Sequence, residues 1–276
     1  MGIYRQARKT FRRGCYALSG LKAQTLTGRR RPLVVFIHVP KTGGTSINSY
    51  FKEFVGSKRS GLALFYDESF ADNADLFARK ARNARFVTGH MPWTVFESFR
   101  SENTYAFTFL RDPYDRLRSL YHHAVNLPPS VRDDEDMRLV KNMSLKEFLA
   151  SRHPVVRLAA DNFLARQFTG ALKLKELPET QEDRQRLAAA AIRNLSTLNL
   201  IGFNEDFDSA FSEIAQVAGL PPPPRGRRVN ATADLVAAGR DRTAASRALD
   251  DETRELAQPL VEADLIVYEH FRNLRG

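Results

Sequence analysis

The segment FIHVPKTGGTSINSYF, residues 36–51, constrains the fold more than any other part of the chain. LVVFIHV (33–39) is a short, continuous apolar run, the pattern of a strand buried on both faces of a parallel sheet. A proline, a lysine and small residues follow, and a helical pattern occupies 45–55 with Thr45 or Ser46 as its expected cap. Strand, small-residue turn and helix in that order begin an α/β unit.

The rest of the chain repeats the theme. A helix is read over 71–83, a strand over 84–90, a third strand over 104–111 and a helix over 113–125. Pro113 falls in that helix's first turn, where no N–H is required. SLKEFLAS, VVRLAADNFLARQF and QEDRQRLAAAAIRNL carry apolar residues at helical spacing. A strand at 199–205, a helix at 206–220 and two closing helices at 246–257 and 259–273 complete the reading. The expected fold class is α/β, a P-loop-like three-layer fold with a parallel sheet flanked by helices and a helical C-terminal half. It is read as one domain, 31–276, after a basic extension, 1–30.

In such sheets ligands sit beyond the carboxyl ends of the strands. The Pro40–Ser46 turn, Gly89-His90 and Arg111-Asp112 all fall at strand ends, which predicts one rim. A turn entering a helix leaves backbone N–H groups unpaired, so it forms a nest for an anion. Lys41 adds a full charge, Thr42, Thr45 and Ser46 add hydroxyls, and Gly43 and Gly44 are expected to let the backbone approach the anion. The lysine precedes the glycines, the reverse of the nucleoside-triphosphate loop, and no acidic residue ends a strand to hold magnesium. Arg111 ends a strand and Ser119 lies two helical turns on, a pairing suited to a second phosphate. A ligand with two separate phosphate groups is therefore expected.

Composition sets the limits. The 276 residues carry a net charge of +10, which favours anionic partners. Cys15 is the only cysteine, so no internal disulfide forms, and no Cys/His cluster suggests zinc. No apolar run approaches the ~18 residues of a membrane span. The basic N-terminus allows weak contact with an anionic membrane, but a frayed basic helix is the plainer reading. A soluble, cytoplasmic protein is expected.

HVPKTGGTS followed by RDPYDRLRSLY, about 70 residues on, resembles the carbohydrate sulfotransferases that use 3′-phosphoadenosine 5′-phosphosulfate (PAPS), especially the heparan-sulfate 2-O-sulfotransferase-like group. DNFLARQFTG (161–170), IGFNEDFDSAF (201–211) and ADLIVYEHF (263–271) are weaker landmarks of the same family. The resemblance runs from about residue 33 to the C-terminus and, without the membrane anchor of Golgi members, points to a soluble bacterial relative. It implies that the turn from Lys41 through Thr42, Gly43, Gly44, Thr45 and Ser46 binds the 5′-phosphosulfate, and that Arg111 and Ser119 bind the 3′-phosphate. It implies Lys41 as stabiliser of the leaving oxygen and His90 as general base, with no metal required. His38 is the rival base, read rather as a packed residue supporting the loop. His122 and His123 are lesser candidates for the acceptor cleft.

The implied acceptor is a carbohydrate, an oligo- or polysaccharide with acidic groups among the possibilities; nucleic acid is not an expected partner. Arg79, Lys80, Arg82, Arg85 and Arg157 are basic residues that an acidic sugar chain could meet. Trp93 and Tyr114 are candidates for stacking, with core packing equally expected. Arg227, Arg228 and Asn230 are candidate late-loop contacts. Two other classes compete: a P-loop kinase-like enzyme, and a non-catalytic module for anionic glycans.

Overall fold

The computed structural model describes residues 31–55, 62–67, 70, 73–130, 132, 134–224 and 249–275. The N-terminal extension and the expected contacts Arg227, Arg228 and Asn230 lie outside the described residues.

Five strands form one parallel sheet: β1 (Leu33–Ile37), β2 (Ala63–Tyr66), β3 (Phe86–Gly89), β4 (Thr104–Leu110) and β5 (Leu200–Phe203), in the order β2-β3-β1-β4-β5. β1 is central, and four of its five residues are buried, as its unbroken apolar run requires. Helices cover both faces. On one side α1 (Gly44–Val55) and α10 (Phe207–Val217) bury Ile47, Phe51, Phe211 and Ile214 against the sheet. On the other, α2 (Ala74–Ala81), α3 (Trp93–Phe99), α8 (Phe163–Gln167), α9 (Gln181–Leu195) and α11 (Asp251–Asn273) enclose a second core around Phe77, Phe96, Phe168 and Val267. A third cluster joins α11 to α4 (Pro113–Val125), α6 (Leu145–Ala150) and α7 (Pro154–Ala160) through Leu117, Phe148, Val156 and Leu260. The short α5 (Glu135–Lys141) adds Val140. The expected α/β class with a helical C-terminal half is what the chain adopts.

Four local expectations are corrected. β2 and α3 were not anticipated; at four and seven residues they are too short to show a period. The helix starts at Gly44, so Thr45 and Ser46 lie in its first turn, and the Ser46 amide bonds back to the Gly43 carbonyl at 3.1 Å. The single helix expected over VVRLAADNFLARQF is two, because Asn162 adopts a left-handed conformation (φ 45°), which asparagine tolerates better than most residues. The two closing helices are one, Asp251–Asn273, running through Pro259.

The last two corrections meet at one place. A proline inside a helix removes a donor and disturbs the ladder around it. Asn162 docks at that point: its side-chain amide donates to the Pro259 carbonyl (2.9 Å), and its side-chain oxygen accepts from the Ala263 amide (2.7 Å). Its own backbone N–H donates to the Leu260 carbonyl. One asparagine thus takes both ends of the bond that Ala263 and Pro259 would otherwise make together. Beside it, buried Asp264 accepts from the amides of Leu164 and Ala165 and from buried Arg116 (3.4 Å). The DNFLARQF and ADLIVYEHF segments interlock here.

Removing one partner of a fully buried ion pair strands the other charge. Asp264→Ala is therefore expected to destabilise the chain by about 3–5 kcal/mol. Urea midpoints read the loss, and a change below about 1 kcal/mol would show that the pair is not needed to seat α11.

Candidate active site

Strand register decides what meets at the carboxyl rim. Ile37 pairs with Gly89, and the His38 amide donates to the Gly89 carbonyl at 3.0 Å. His38 and His90 therefore emerge side by side, with His90 Nε2 3.2 Å from His38 Nδ1 and ring centroids 4.7 Å apart. On the other side of β1, Phe36 pairs with Phe107, and continuing that register sets Arg111 level with the turn. Arg111 Nη1 donates to the Lys41 carbonyl at 3.3 Å. The turn, the Gly89-His90 end and Arg111 thus share one rim, as the sequence predicts.

The turn is built from strained and crowded backbone. Lys41 has φ 72°, in the left-handed region that costs a residue with a Cβ roughly 1–2 kcal/mol. Gly43 also has positive φ (86°). Buried Thr42 donates its hydroxyl to the Val39 carbonyl (2.8 Å), so its side chain braces the turn from within. Gly43 and Thr45 are exposed; Gly44 and Ser46 are buried. The reason for the glycines differs from the expectation. A Cβ on Gly44 would lie 2.1 Å from His38 Nε2, and one on Gly43 would lie 3.2 Å from the Phe207 ring. The space a side chain would fill is taken by this chain's own residues. With the Ser46 amide taken by Gly43, the Gly44 and Thr45 amides are those left to carry partial positive charge beside Lys41, which suits a phosphate-type anion.

Asp112 caps α4 by accepting from the Asp115 amide (2.9 Å), and half-buried Ser119 lies on that helix. Arg118 pairs with Asp115. Arg116, in the same motif, is paired with Asp264 and buried. Arg111 is mostly desolvated, which works against its charge, while Asp115, Glu205 and Asp112 support it.

Both histidines are held neutral. His38 titrates well below its ordinary 6.5, first through burial and then through the His90 and Lys41 charges. His90, although its outer surface is exposed, is pulled down to about 4, first by the packing of its ring out of water and then by Lys41. Lys41 is thus near enough to act on both rings. A neutral imidazole has a lone pair, the first requirement for accepting a proton at neutral pH.

The remaining candidates sit elsewhere. Trp93 is buried against Phe96 and Phe168, so it is core. Arg254 lies over the Tyr114 ring at 4.4 Å. His122 and His123 are in the last turn of α4, with His122 against Tyr121. Arg79, Lys80 and Arg82 lie in or next to the last turn of α2, and Arg85 precedes β3. Arg157 pairs with Asp161 and lines a cavity of about 660 Å³ with Arg152 and Arg184. Sequence reading missed Gln167. It is fully buried, and its Nε2 donates to the carbonyls of His38 and Met91, both at 3.2 Å. Only its place inside the DNFLARQFTG landmark marked it.

A family model described as "Sulfotransferase family" matches residues 25–270. No curated protein matches the chain. Among the described residues no helix is long and apolar enough to cross a membrane.

Desolvation of the two rings has a consequence for stability. Both pKa values are depressed in the folded state, so below 6.5 the unfolded chain binds more protons. Their contribution is complete above pH 6.5 and is lost as pH falls through 6.5 towards about 4. Denaturation midpoints of the native chain should fall between pH 7.5 and pH 5, and should fall less in the His38→Asn/His90→Gln double variant. Equal slopes would contradict the assignment.

Proposed function

The chain belongs to the sulfotransferase family, and from that premise we propose that it transfers the sulfuryl group of PAPS to a carbohydrate hydroxyl. The observation that carries the reading is the Arg111–Lys41 contact, which sets the two anion-binding motifs on one rim with Lys41 acting on His90. A nucleotide with phosphates at both its 5′ and 3′ positions would engage both motifs at that rim. The donor fits the residues present: the start of α1, Lys41 and Arg111 gather positive charge at one rim, and the turn from Lys41 to Ser46 contains no carboxylate.

In this mechanism the amides of Thr42 through Ser46 hold the 5′-phosphate, with the Ser46 contribution coming from its side chain because its amide is bonded to Gly43. Arg111 and Ser119 hold the 3′-phosphate. His90 takes the proton of the acceptor hydroxyl as that oxygen attacks sulfur in line. Lys41 stabilises the bridging oxygen as it leaves with the 5′-phosphate. Its φ of 72° aims the residue away from an ordinary helix start, and strain of this kind is a recurrent property of functional turns. The donor's negative charge opposes the effect of Lys41 on His90, the smaller of the two causes that depress it, while burial, the larger, remains. The acceptor class rests on the likeness of HVPKTGGTS and RDPYDRLRSLY to the heparan-sulfate 2-O-like enzymes and on the net charge of +10.

Thermal-shift measurements with 3′-phosphoadenosine 5′-phosphate (PAP), ATP, ADP and NAD test the donor. PAP alone should stabilise the chain strongly; equal or greater stabilisation by ATP with magnesium would reject the reading. With labelled PAPS and a glycan panel, Lys41→Ala and His90→Ala should each lose at least ~100-fold in turnover. His90→Ala should keep PAP affinity nearly intact.

A further inference from the structure

The side chain that crowds Gly44 is a histidine, and it is in contact with a second histidine at the same rim. His38 is held on several sides. Its ring stacks on Phe36 at 5.0 Å, and its Nε2 occupies the space over Gly44. Its amide is bonded to Gly89, and its carbonyl accepts from Gln167. The other bond from Gln167 Nε2 goes to Met91, the residue after His90. One buried glutamine therefore clamps the backbone on both sides of the histidine contact, and the β1–β3 ladder fixes its register.

We propose that His38 is a positioning residue that sets the tautomer and orientation of His90, so that the two form a histidine dyad. The inference rests on His90 being the general base. The 3.2 Å contact has two polarities. If His38 Nδ1 donates, His90 Nε2 spends its lone pair and its Nδ1 carries the proton, so the ring has no free base. If His90 Nε2–H donates to His38 Nδ1, His90 Nδ1 keeps a lone pair, and His90 is exposed enough to meet an acceptor from solvent. Only the second polarity works.

The step then balances. The acceptor O–H proton moves to His90 Nδ1 as the O–S bond forms. The S–O bond to the 5′-phosphate breaks, and its electron pair leaves on the phosphate oxygen. The resulting His90 imidazolium donates from Nε2 to neutral His38 Nδ1, which spreads its charge, and the proton returns to solvent from exposed His90. His38 Nε2 then carries its ring's proton and faces the turn at Gly44. The other titratable group acting on both rings is Lys41.

Imidazole ¹⁵N NMR of the full chain at pH 7.5 tests the polarity without turnover, with signals assigned from their absence in His38→Asn and His90→Gln. The proposal expects His90 protonated at Nε2 and bare at Nδ1, and His38 bare at Nδ1. His90 protonated at Nδ1 instead would overturn it. Two variants then separate the hydrogen bond from packing. His38→Asn places an acceptor oxygen near the Nδ1 position, whereas His38→Leu fills space without an acceptor. With labelled PAPS and desulfated heparin, His38→Leu should lose on the order of 10- to 100-fold in kcat at unchanged PAP affinity. His38→Asn should stay within a few-fold of the native chain. Native kcat in His38→Leu, or equal loss in both variants, overturns the dyad. If His90→Gln keeps native turnover, the base assignment itself fails; if His90→Gln is inactive and His38→Leu is not, only the dyad fails.

Discussion

The register of the central strand with its neighbours governs this molecule. Ile37 opposite Gly89 and Phe36 opposite Phe107 determine which residues stand level where the sheet ends. A slip of one residue in either pairing would turn alternate side chains to the other face and separate the groups that meet at the rim. The register is held by the sheet's own hydrogen bonds, by the stacked rings of Phe36 and Phe107 (4.9 Å), and by the Thr108 hydroxyl donating to the Ile37 carbonyl. Everything argued about charge at the turn depends on that alignment.

A second constraint lies beneath the rim. The buried polar cluster of Arg116, Asp161, Asn162, Arg166 and Asp264 joins α4, the α7–α8 junction and α11. It spans residues nearly 150 positions apart, and it anchors the helix that carries Gln167. Arg116 belongs to the same short motif as Arg111. One motif therefore serves both layers: its first arginine reaches the turn, and its second locks the helical half beneath. Buried charge is costly unless paired, so such a cluster restricts how these helices can pack.

Much of this was legible in the sequence, for identifiable reasons. β1 shows as an unbroken apolar run, α9 as an amphipathic helix, and the rim as three polar groups at the ends of separate strands. What escaped was non-local or short. β2 has four residues. Asn162 bonds into a helix almost 100 positions away, and no periodicity reports that. Gly44 reads as room for a ligand, yet the structure fills that room with His38. The landmark segments were visible as strings, but their reason, a shared buried network, exists only once the chain is folded.

The central claim is that one rim binds both phosphates of one nucleotide. Calorimetric titration of the native chain, Lys41→Ala and Arg111→Ala with PAP, adenosine 5′-phosphate and adenosine 3′-phosphate tests it most directly, because each variant removes one contact and each monophosphate lacks one of the two phosphates of PAP. The account predicts crossed coupling: Lys41→Ala costs most with ligands bearing the 5′-phosphate, and Arg111→Ala most with those bearing the 3′-phosphate. Equal losses for all three ligands in both variants would contradict it.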